Sequence, residues 1–333
     1  QDEALAFVKA LAQAEEAGQL DRKLYANPLF FTLLAALWLD AAPPRRFPTT
    51  RAELLRQGVD LLLKRWTRRR LPDPSVAERL GVLQRDDLRQ VLESLACTVH
   101  ATAQPGADST LFSIDMLLGM LARADCRVLI QDVPDYLTQH AGILVSPAPH
   151  VFYFIHRSFQ EHLAASLLIC ARPTTHRPPV EEWLRFPHGL VTLTLAQPEL
   201  WENVARLAAD DLFAHTSRVL DGWQLLTALA SPYLEQQQAP AAALLALQIA
   251  QSQRLFEQEI GRFDPRTASF SALVQTAQAI LVDPAHFVPE QRLLAGDLLA
   301  ARPDLDQRPG VTVRPDNGLP DIVWCEIPEF SRD

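Results

Sequence analysis

The sequence predicts a mainly α-helical protein made of a small helical domain, a winged-helix domain with a β-hairpin wing, and a C-terminal, solenoid-like helical domain. Leu- and Ala-rich segments with helical periodicity dominate the 333 residues. Glycine is scarce, with 12 residues, whereas the 25 prolines often stand at the ends of these segments. One stretch, residues 143–155, changes to a strand-like pattern. Together these observations favour helices ended by prolines over a sheet protein.

We place the domain limits where proline-rich or irregular segments interrupt the periodicity. Residues 1–70 are expected to form the helical domain, and residues 71–171 the winged-helix domain. Residues 172–302 are the predicted C-terminal helical domain, and residues 303–333 lose the helical pattern. Because the first residues already follow a helix-like pattern, we interpret the chain as a fragment of a larger protein.

The first predicted helix spans residues 2–18 and opens the small helical domain. Leu5, Val8 and Leu11 fall on one face of this helix, which we expect to be buried. The helix is rich in acidic residues at its start, as the positive end of a helix dipole favours.

The next two helices of this domain have clear starting residues. Asn27 is the expected N-cap of the first of them, with Pro28 at the first helical position, where its missing N–H costs nothing. The segment Thr50-Arg51-Ala52-Glu53 has the spacing of a capping box and starts the following helix. Basic residues at the end of that helix are interpreted as a complement to its dipole rather than as a nucleic-acid site.

The winged-helix prediction comes from residues 86–165. A helix over residues 86–100 has one apolar face, and helices over 113–124 and 131–141 follow it. Two β-prone segments, 143–145 and 151–155, then flank a proline-rich turn. After His156 the apolar residues Phe159, Leu163 and Leu167 recur at helical spacing, so a helix is expected to follow the second strand directly.

Charge and cysteine content limit the classes of partner. The formal net charge is −9, and phosphate binding to nucleic acid depends on clustered cations, so nucleic acid is an unlikely main partner. The four cysteines lack the spacing of metal ligands, which favours reduced thiols in a cytoplasmic protein. No apolar segment reaches the ~18–20 residues of a membrane-spanning helix.

The wing and the helix after it resemble a known family. Residues 152–165 read Phe-Tyr-Phe-Ile-His-Arg-Ser-Phe-Gln-Glu-His-Leu-Ala-Ala. This segment resembles the end of the winged helix in NACHT-type signal-transduction ATPases, the bacterial relatives of NLR immune receptors. His162 stands where the family has an aromatic residue. By this resemblance, His156 would contact the β-phosphate of bound ADP, and Pro28 of the Asn-Pro-Leu segment would lie against the adenine ring.

The catalytic elements of such an ATPase are absent from the sequence. It contains no phosphate loop of the form G-x-x-x-x-G-K followed by Ser or Thr. We therefore expect no enzymatic activity and no catalytic or metal-binding residues in this chain. By the resemblance, an upstream domain would supply the rest of the site for ADP or ATP, with its Mg²⁺, and the intact protein would be an ATPase.

A second resemblance concerns the tail. Within residues 303–333, the segment 308–328 reads Arg-Pro-Gly-Val-Thr-Val-Arg-Pro-Asp-Asn-Gly-Leu-Pro-Asp-Ile-Val-Trp-Cys-Glu-Ile-Pro. It resembles the lead-in to formylglycine-generating-enzyme-like modules, which have a C-type-lectin-like fold. The family usually continues Ile-Pro-x-Gly, whereas Glu329 follows Ile327-Pro328 here and the glycine is missing. The body of that module is not in this sequence, so Cys325 is not interpreted as one of its cysteines.

The leading functional hypothesis is the regulatory half of a nucleotide-gated switch. The resemblance implies that the helical and winged-helix domains hold ADP at rest, and that a downstream lectin-like module senses a ligand. It also implies that activation produces a homo-oligomer, drives an upstream effector and serves prokaryotic defence. One alternative is a helical adaptor that binds no nucleotide. Another is DNA binding by the helix over 131–141, although Asp132 and Asp135 make that segment acidic.

Overall fold

The computed structural model describes residues 2–18, 20, 22–69, 85–104, 110–123, 132–170, 185–261 and 263–302. Two compact units divide the chain between Asp221 and Gly222. Residues 70–84 and 171–184, where we expected proline-rich or irregular segments at the domain limits, and the tail at 303–333 lie outside the described residues. The domain limits at 70 and 171 stay predictions, and the helices over 188–214 belong to the first compact unit.

The first unit is mainly helical. Its α-helices are α1 (Asp2–Glu16), α2 (Arg22–Tyr25), α3 (Pro28–Asp40), α4 (Arg51–Arg69), α5 (Arg85–Ala101), α6 (Ile114–Arg123), α7 (Asp132–Asp135), α8 (Arg157–Leu168), α9 (His188–Ala196) and α10 (Pro198–Ala214). Its strands are β1 (Phe112–Ser113), β2 (Leu144–Ala148) and β3 (Val151–Phe154). A π-helical turn over Tyr136–His140 follows α7, and a 3₁₀ turn over Thr216–Arg218 follows α10.

The starts of α3 and α4 follow from their sequences. Asn27 Oδ1 accepts a hydrogen bond from the Leu29 N–H at 2.9 Å, as predicted for an N-cap. At α4, Thr50 Oγ1 accepts from the Glu53 N–H at 3.1 Å, which is half of the predicted capping box. The other half is displaced by one residue, because Glu53 Oε2 accepts from the Thr49 N–H at 2.9 Å rather than from Thr50.

The predicted buried face of α1 is confirmed at Leu11 and wrong at Leu5 and Val8. Leu5 and Val8 are more than half exposed, whereas Phe7 and Leu11, one helical turn apart, are buried. The Phe7 ring lies edge-on to Trp38 at 6.0 Å and to Phe47 at 5.9 Å. Aromatic packing against α3 and the segment after it therefore sets which face of α1 turns inward.

The three strands form an antiparallel sheet in the order β1-β3-β2. Phe112 pairs with Phe152, and Leu144 pairs with Phe154. Helix α5, strand β1, helices α6 and α7, strands β2 and β3, and helix α8 follow one another along the chain, so the predicted winged helix with its β-hairpin wing is confirmed. Strand β1 was not predicted, because two residues carry no periodicity and only pairing with β3 defines them.

The helix predicted over 131–141 differs from the observed structure. Only Asp132–Asp135 is α-helical, and the next five residues form the π-helical turn. The Tyr136 hydroxyl donates to the Leu63 carbonyl at 2.8 Å, and both Tyr136 and Leu137 are buried. A π-turn adds a residue to the helical turn, and here it accompanies a tyrosine held against α4.

Helix α8 is the central helix of the first unit. It packs against α5 on one side and α10 on another, with α4 also in contact. The predicted apolar residues Phe159, Leu163 and Leu167 are buried, as expected. Polar side chains are buried as well, because neighbours cover more than one face of the helix. They are Ser158, Gln160, Glu161 and His162.

The second unit consists of consecutive helices that pack on one another. It contains most of α11 (Val219–Gln236), then α12 (Pro240–Ser252), a 3₁₀ turn at Leu255–Glu257, α13 (Thr267–Val282) and α14 (Pro289–Ala300). Phe270 contacts Trp223 at 6.2 Å and Phe256 at 5.5 Å between ring centroids. On α14, Leu298 is buried, whereas Leu293 is 63% exposed. The mainly α-helical prediction is confirmed.

Candidate functional site

The candidate site lies where the wing meets α8. His156 is the N-cap of α8 and has extended backbone angles. Its Nδ1 accepts a hydrogen bond from the Ser158 N–H at 3.0 Å, while its carbonyl accepts from the Phe159 N–H at 3.0 Å. The imidazole thus satisfies one of the free N–H groups at the helix start, a role usually taken by Ser, Thr, Asp or Asn.

This cap determines the protonation of His156. Because Nδ1 accepts a hydrogen bond, a neutral ring carries its proton on Nε2. Burial lowers the pKa of His156 from its ordinary value, the nearby Arg51 cation lowers it further, and Glu161 opposes both. The ring is therefore neutral at pH 7, and Nε2–H is a donor with no hydrogen-bond partner among the described residues.

A cavity of about 660 Å³ opens beside this ring, and we call it the junction cavity. Residues of α4, β3, α8 and α10 line it. They are Arg51, Tyr153, Phe154, Ile155, His156, Arg157, Ser158, Glu161, Glu199 and Asn203. Two arginines, two glutamates and the imidazole thus share one cavity with the N-terminal end of α8. The helix end, whose dipole is positive there, and the imidazole donor are the features that suit an anion.

Arg51 joins α4 to the start of α8. One of its terminal nitrogens donates to Ser158 Oγ at 2.6 Å. Its guanidinium carbon lies 5.2 Å from the centre of the Phe30 ring, and the same ring lies 6.2 Å from the His156 ring in an edge-on arrangement. Sequence reasoning assigned Arg51 only to a capping box, because nothing in its local pattern indicates a contact with a residue 107 positions later.

The second arginine of the junction cavity is neutralised. Arg157 Nε donates to Glu161 Oε1 at 3.0 Å, and Asn203 Nδ2 of α10 donates to the same oxygen at 3.3 Å. The Glu161 side chain is only 2% exposed, so this ion pair is largely shielded from water. It ties the first turns of α8 to α10, the helix that forms one wall of the cavity.

Pro28, the second residue that the sequence singled out, is exposed at the first position of α3. It is not among the described residues that line the junction cavity. Phe30, two positions later in the same helix, is buried and contacts both the His156 ring and Arg51. Helix α3, which begins at Pro28, therefore meets the His156 ring through Phe30.

A second histidine anchors the buried side of α8. His100 is fully buried, and its Nε2 lies 2.9 Å from the Leu200 carbonyl, to which it donates. Its Nδ1 lies 3.2 Å from Gln160 Nε2 and accepts from that amide. The ring also lies edge-on to Trp201 at 4.8 Å. Sequence reasoning did not find this cluster, which connects α5, α8 and α10.

A third histidine has no polar contact. His162 is 1% exposed, and neither ring nitrogen has a hydrogen-bond partner. Burial, with the Arg89 and Arg56 cations nearby, lowers the pKa of His162 to about 3. Among the described residues, no group of three or more potential metal ligands occurs.

Two further observations concern membranes and DNA. In the part of the chain that the structure describes, no helix is both long and apolar enough to cross a bilayer. The segment expected to be a DNA recognition helix has Tyr136 and Leu137 buried against the first unit, and Asp135 exposed. Its middle is thus turned away from solvent, and the exposed Asp135 carboxylate repels phosphate, which argues against DNA binding.

Comparison with known proteins identifies one region. Residues 51–168 match the family model described as the winged helix-turn-helix domain C-terminal to NACHT. No curated protein and no solved structure matches the chain. The match ends before residues 303–333, so nothing supports the resemblance of that tail to a formylglycine-generating-enzyme-like module. A winged helix is not itself catalytic, and residues 51–168 are a NACHT-associated winged-helix region.

Proposed function

We propose that this chain is the regulatory part of a nucleotide-gated switch, in which the winged-helix region and the helices before it close over bound ADP. The observation that carries the proposal is the state of His156. Its Nδ1 accepts a hydrogen bond from the Ser158 N–H, so the neutral ring carries its proton on Nε2. The same ring lines the junction cavity. A neutral imidazole in this state can donate to a phosphate oxygen without first taking up a proton.

The surroundings of His156 support an anionic ligand. Arg51 lines the same cavity, and the dipole of α8 directs its positive end there. A hydrogen bond from Nε2 to an ionised phosphate is worth about 1.5–3 kcal/mol, which shifts a closed-to-open equilibrium by about tenfold or more. The remaining nucleotide contacts, including Mg²⁺ with ATP, would come from an upstream nucleotide-binding domain. In this proposal Pro28 contributes an apolar contact to the base.

Release of ADP would then separate the winged helix from the nucleotide-binding domain. Such an opening would expose surfaces for self-association and activate an effector elsewhere in the protein. Defence against phage or another invader is the biological role that fits a switch of this family. Residues outside the winged helix would carry the sensor.

The test is ADP-dependent thermal melting of the full-length protein. ADP at 100 times its Kd should stabilise the wild type by about 2.7 kcal/mol. His156→Asn keeps an N-cap acceptor but loses the Nε2–H donor, so it should retain the ligand-free melting temperature and lose most of the ADP shift. His188→Ala, at an exposed histidine outside the junction cavity, is the matched control and should keep the shift.

A different result would favour the adaptor hypothesis. If the wild-type protein shows no melting shift with ADP, and His156→Asn changes nothing, the helices serve as a scaffold without nucleotide dependence. A shift that is equal in the wild type and in His156→Asn would keep nucleotide binding but remove His156 from it.

A further inference from the structure

Two contacts hold the Arg51 side chain beside the start of α8. Its terminal nitrogen donates to Ser158 Oγ at 2.6 Å, and its guanidinium stacks over Phe30 at 5.2 Å. These two contacts restrict the side chain from two directions, so the guanidinium stays beside the start of α8. A long side chain that is already ordered loses little further freedom when a ligand arrives.

Arg51 also has unused hydrogen-bonding capacity. A guanidinium carries five N–H donors, and the Nε–H of Arg51 is buried without a partner. No carboxylate pairs with Arg51 in the described part of the chain. Buried polar groups are nearly always satisfied, so an unsatisfied donor on a residue that lines a cavity leaves room for an acceptor from outside the described chain.

The other arginine of the junction cavity provides the contrast. Arg157 is bound to Glu161 at 3.0 Å and has its charge balanced there. Both side chains line the same cavity, but only Arg51 contributes a positive charge that no described carboxylate neutralises. The cavity is therefore lined by Arg157 with its partner Glu161, by Arg51 without an ion-pair partner among the described residues, by the Glu199 carboxylate, and by the neutral donor on His156.

We propose that Arg51 is a second donor to the diphosphate that His156 contacts, and that it sets the preference of the site for a nucleoside diphosphate over the bare nucleoside. This inference rests on the proposed function. A planar guanidinium can present two N–H groups to two phosphate oxygens, which a lysine cannot do. Ser158 positions both donors, because its hydroxyl holds Arg51 and its backbone N–H holds the His156 ring.

The experiment is a direct titration of the full-length protein with ADP and, separately, with adenosine. Arg51→Gln should weaken ADP binding about tenfold or more and leave adenosine binding within about twofold. Arg51→Lys keeps the charge without the planar fork and should give an intermediate loss. Arg46→Gln removes an equal charge five positions away, outside the junction cavity, and should bind both ligands as the wild type does.

The arms of this experiment separate the inference from the proposed function. If Arg51→Gln binds ADP as tightly as the wild type while His156→Asn loses affinity, Arg51 makes no contact and the inference is wrong, although the proposed function stands. If neither variant changes ADP binding, both ideas are overturned. If Arg51→Gln weakens ADP and adenosine equally, Arg51 acts through folding of the site, and the diphosphate contact is wrong. Arg51→Lys, which retains the charge beside Phe30, distinguishes the same cases should Arg51→Gln fail to fold.

Discussion

At the start of α8, His156 lines the junction cavity. Its Nδ1 accepts a hydrogen bond from the Ser158 N–H, and its Nε2 has no hydrogen-bond partner among the described residues. About 9 Å further along the same helix, His162 lies in a sealed environment where neither nitrogen has a partner. Arginines lie near both rings, and burial lowers the pKa of both. Access to a cavity, and a hydrogen bond that orients the ring, therefore distinguish His156, a candidate ligand contact, from His162, a packing residue.

His100 extends this comparison to a third environment. It is as buried as His162, yet each of its nitrogens has a partner. The middle of α8 is therefore fixed by a satisfied polar cluster on the α10 side, whereas His162 contributes shape alone. At the start of α8, by contrast, the His156 Nε2–H and the Arg51 Nε–H have no hydrogen-bond partner among the described residues.

The largest effect is expected from removing the satisfied histidine. His100→Leu removes a donor to the Leu200 carbonyl and leaves the buried Gln160 amide without its imidazole partner, which should lower the free energy of unfolding by about 2–4 kcal/mol. Urea unfolding measures this loss, with the exposed His188→Ala as the control that stays within about 0.5 kcal/mol. A loss below about 1 kcal/mol would mean that the cluster does not anchor α8.

The second-largest effect is expected from breaking the ion pair between Arg157 and Glu161. Glu161→Gln keeps the size of the side chain but removes the charge that holds Arg157 and Asn203. The expected loss of stability is about 1–3 kcal/mol, because hydrogen bonds to an ionised group are broken in a shielded place. Chemical denaturation measures it, and raising the salt concentration should change the result little. Strong salt screening would show that the pair is exposed to water.

Burial of His162 should make the free energy of unfolding depend on pH. The pKa of His162 is about 3 in the folded state and near 6.5 in the unfolded state. Below pH 6.5, therefore, the unfolded state binds a proton on His162 and the folded state does not. Stability at neutral pH is thus lost as pH falls from 6.5 towards 3, by about 1.4 kcal/mol for each unit. His162→Phe removes this titration, and its stability should decline less steeply in acid. Parallel pH profiles for the two proteins would contradict the account.

The smallest effect is expected at Ser158. Ser158→Ala removes the hydroxyl that accepts from Arg51 and leaves the backbone N–H on His156 in place. Stability should fall by about 0.5–1.5 kcal/mol, the net worth of one hydrogen bond. Thermal melting without ligand measures this change. A loss as large as that of His100→Leu would mean that the start of α8 is as rigidly built as its middle.

Local patterns predicted the parts of the fold that depend on sequence neighbours. The helical spacing of Phe159, Leu163 and Leu167 after two β-prone segments was sufficient for the wing and α8. The N-cap at Asn27 and half of the Thr50 capping box were predicted for the same reason. The apolar face of α1 was predicted only in part, because aromatic contacts of Phe7 with distant residues decide it.

The site was predictable only in part. His156 was found from its position between strand and helix, and the resemblance to NACHT proteins supplied its proposed role. Arg51 was not found, since its contact with Ser158 is created by the packing of α4 on α8. The buried polar residues of α8 were not predicted, because the helical periodicity of apolar residues gives no sign that the polar residues between them are also buried. Their burial results from α5 and α10 covering different faces of the helix.

The most direct measurement is a structure of the full-length protein with ADP bound. The account predicts that His156 Nε2 lies about 2.7–3.2 Å from a phosphate oxygen of ADP, with Nδ1 still on the Ser158 N–H. An imidazole more than about 4 Å from every phosphate oxygen, with no water between them, would contradict the central claim.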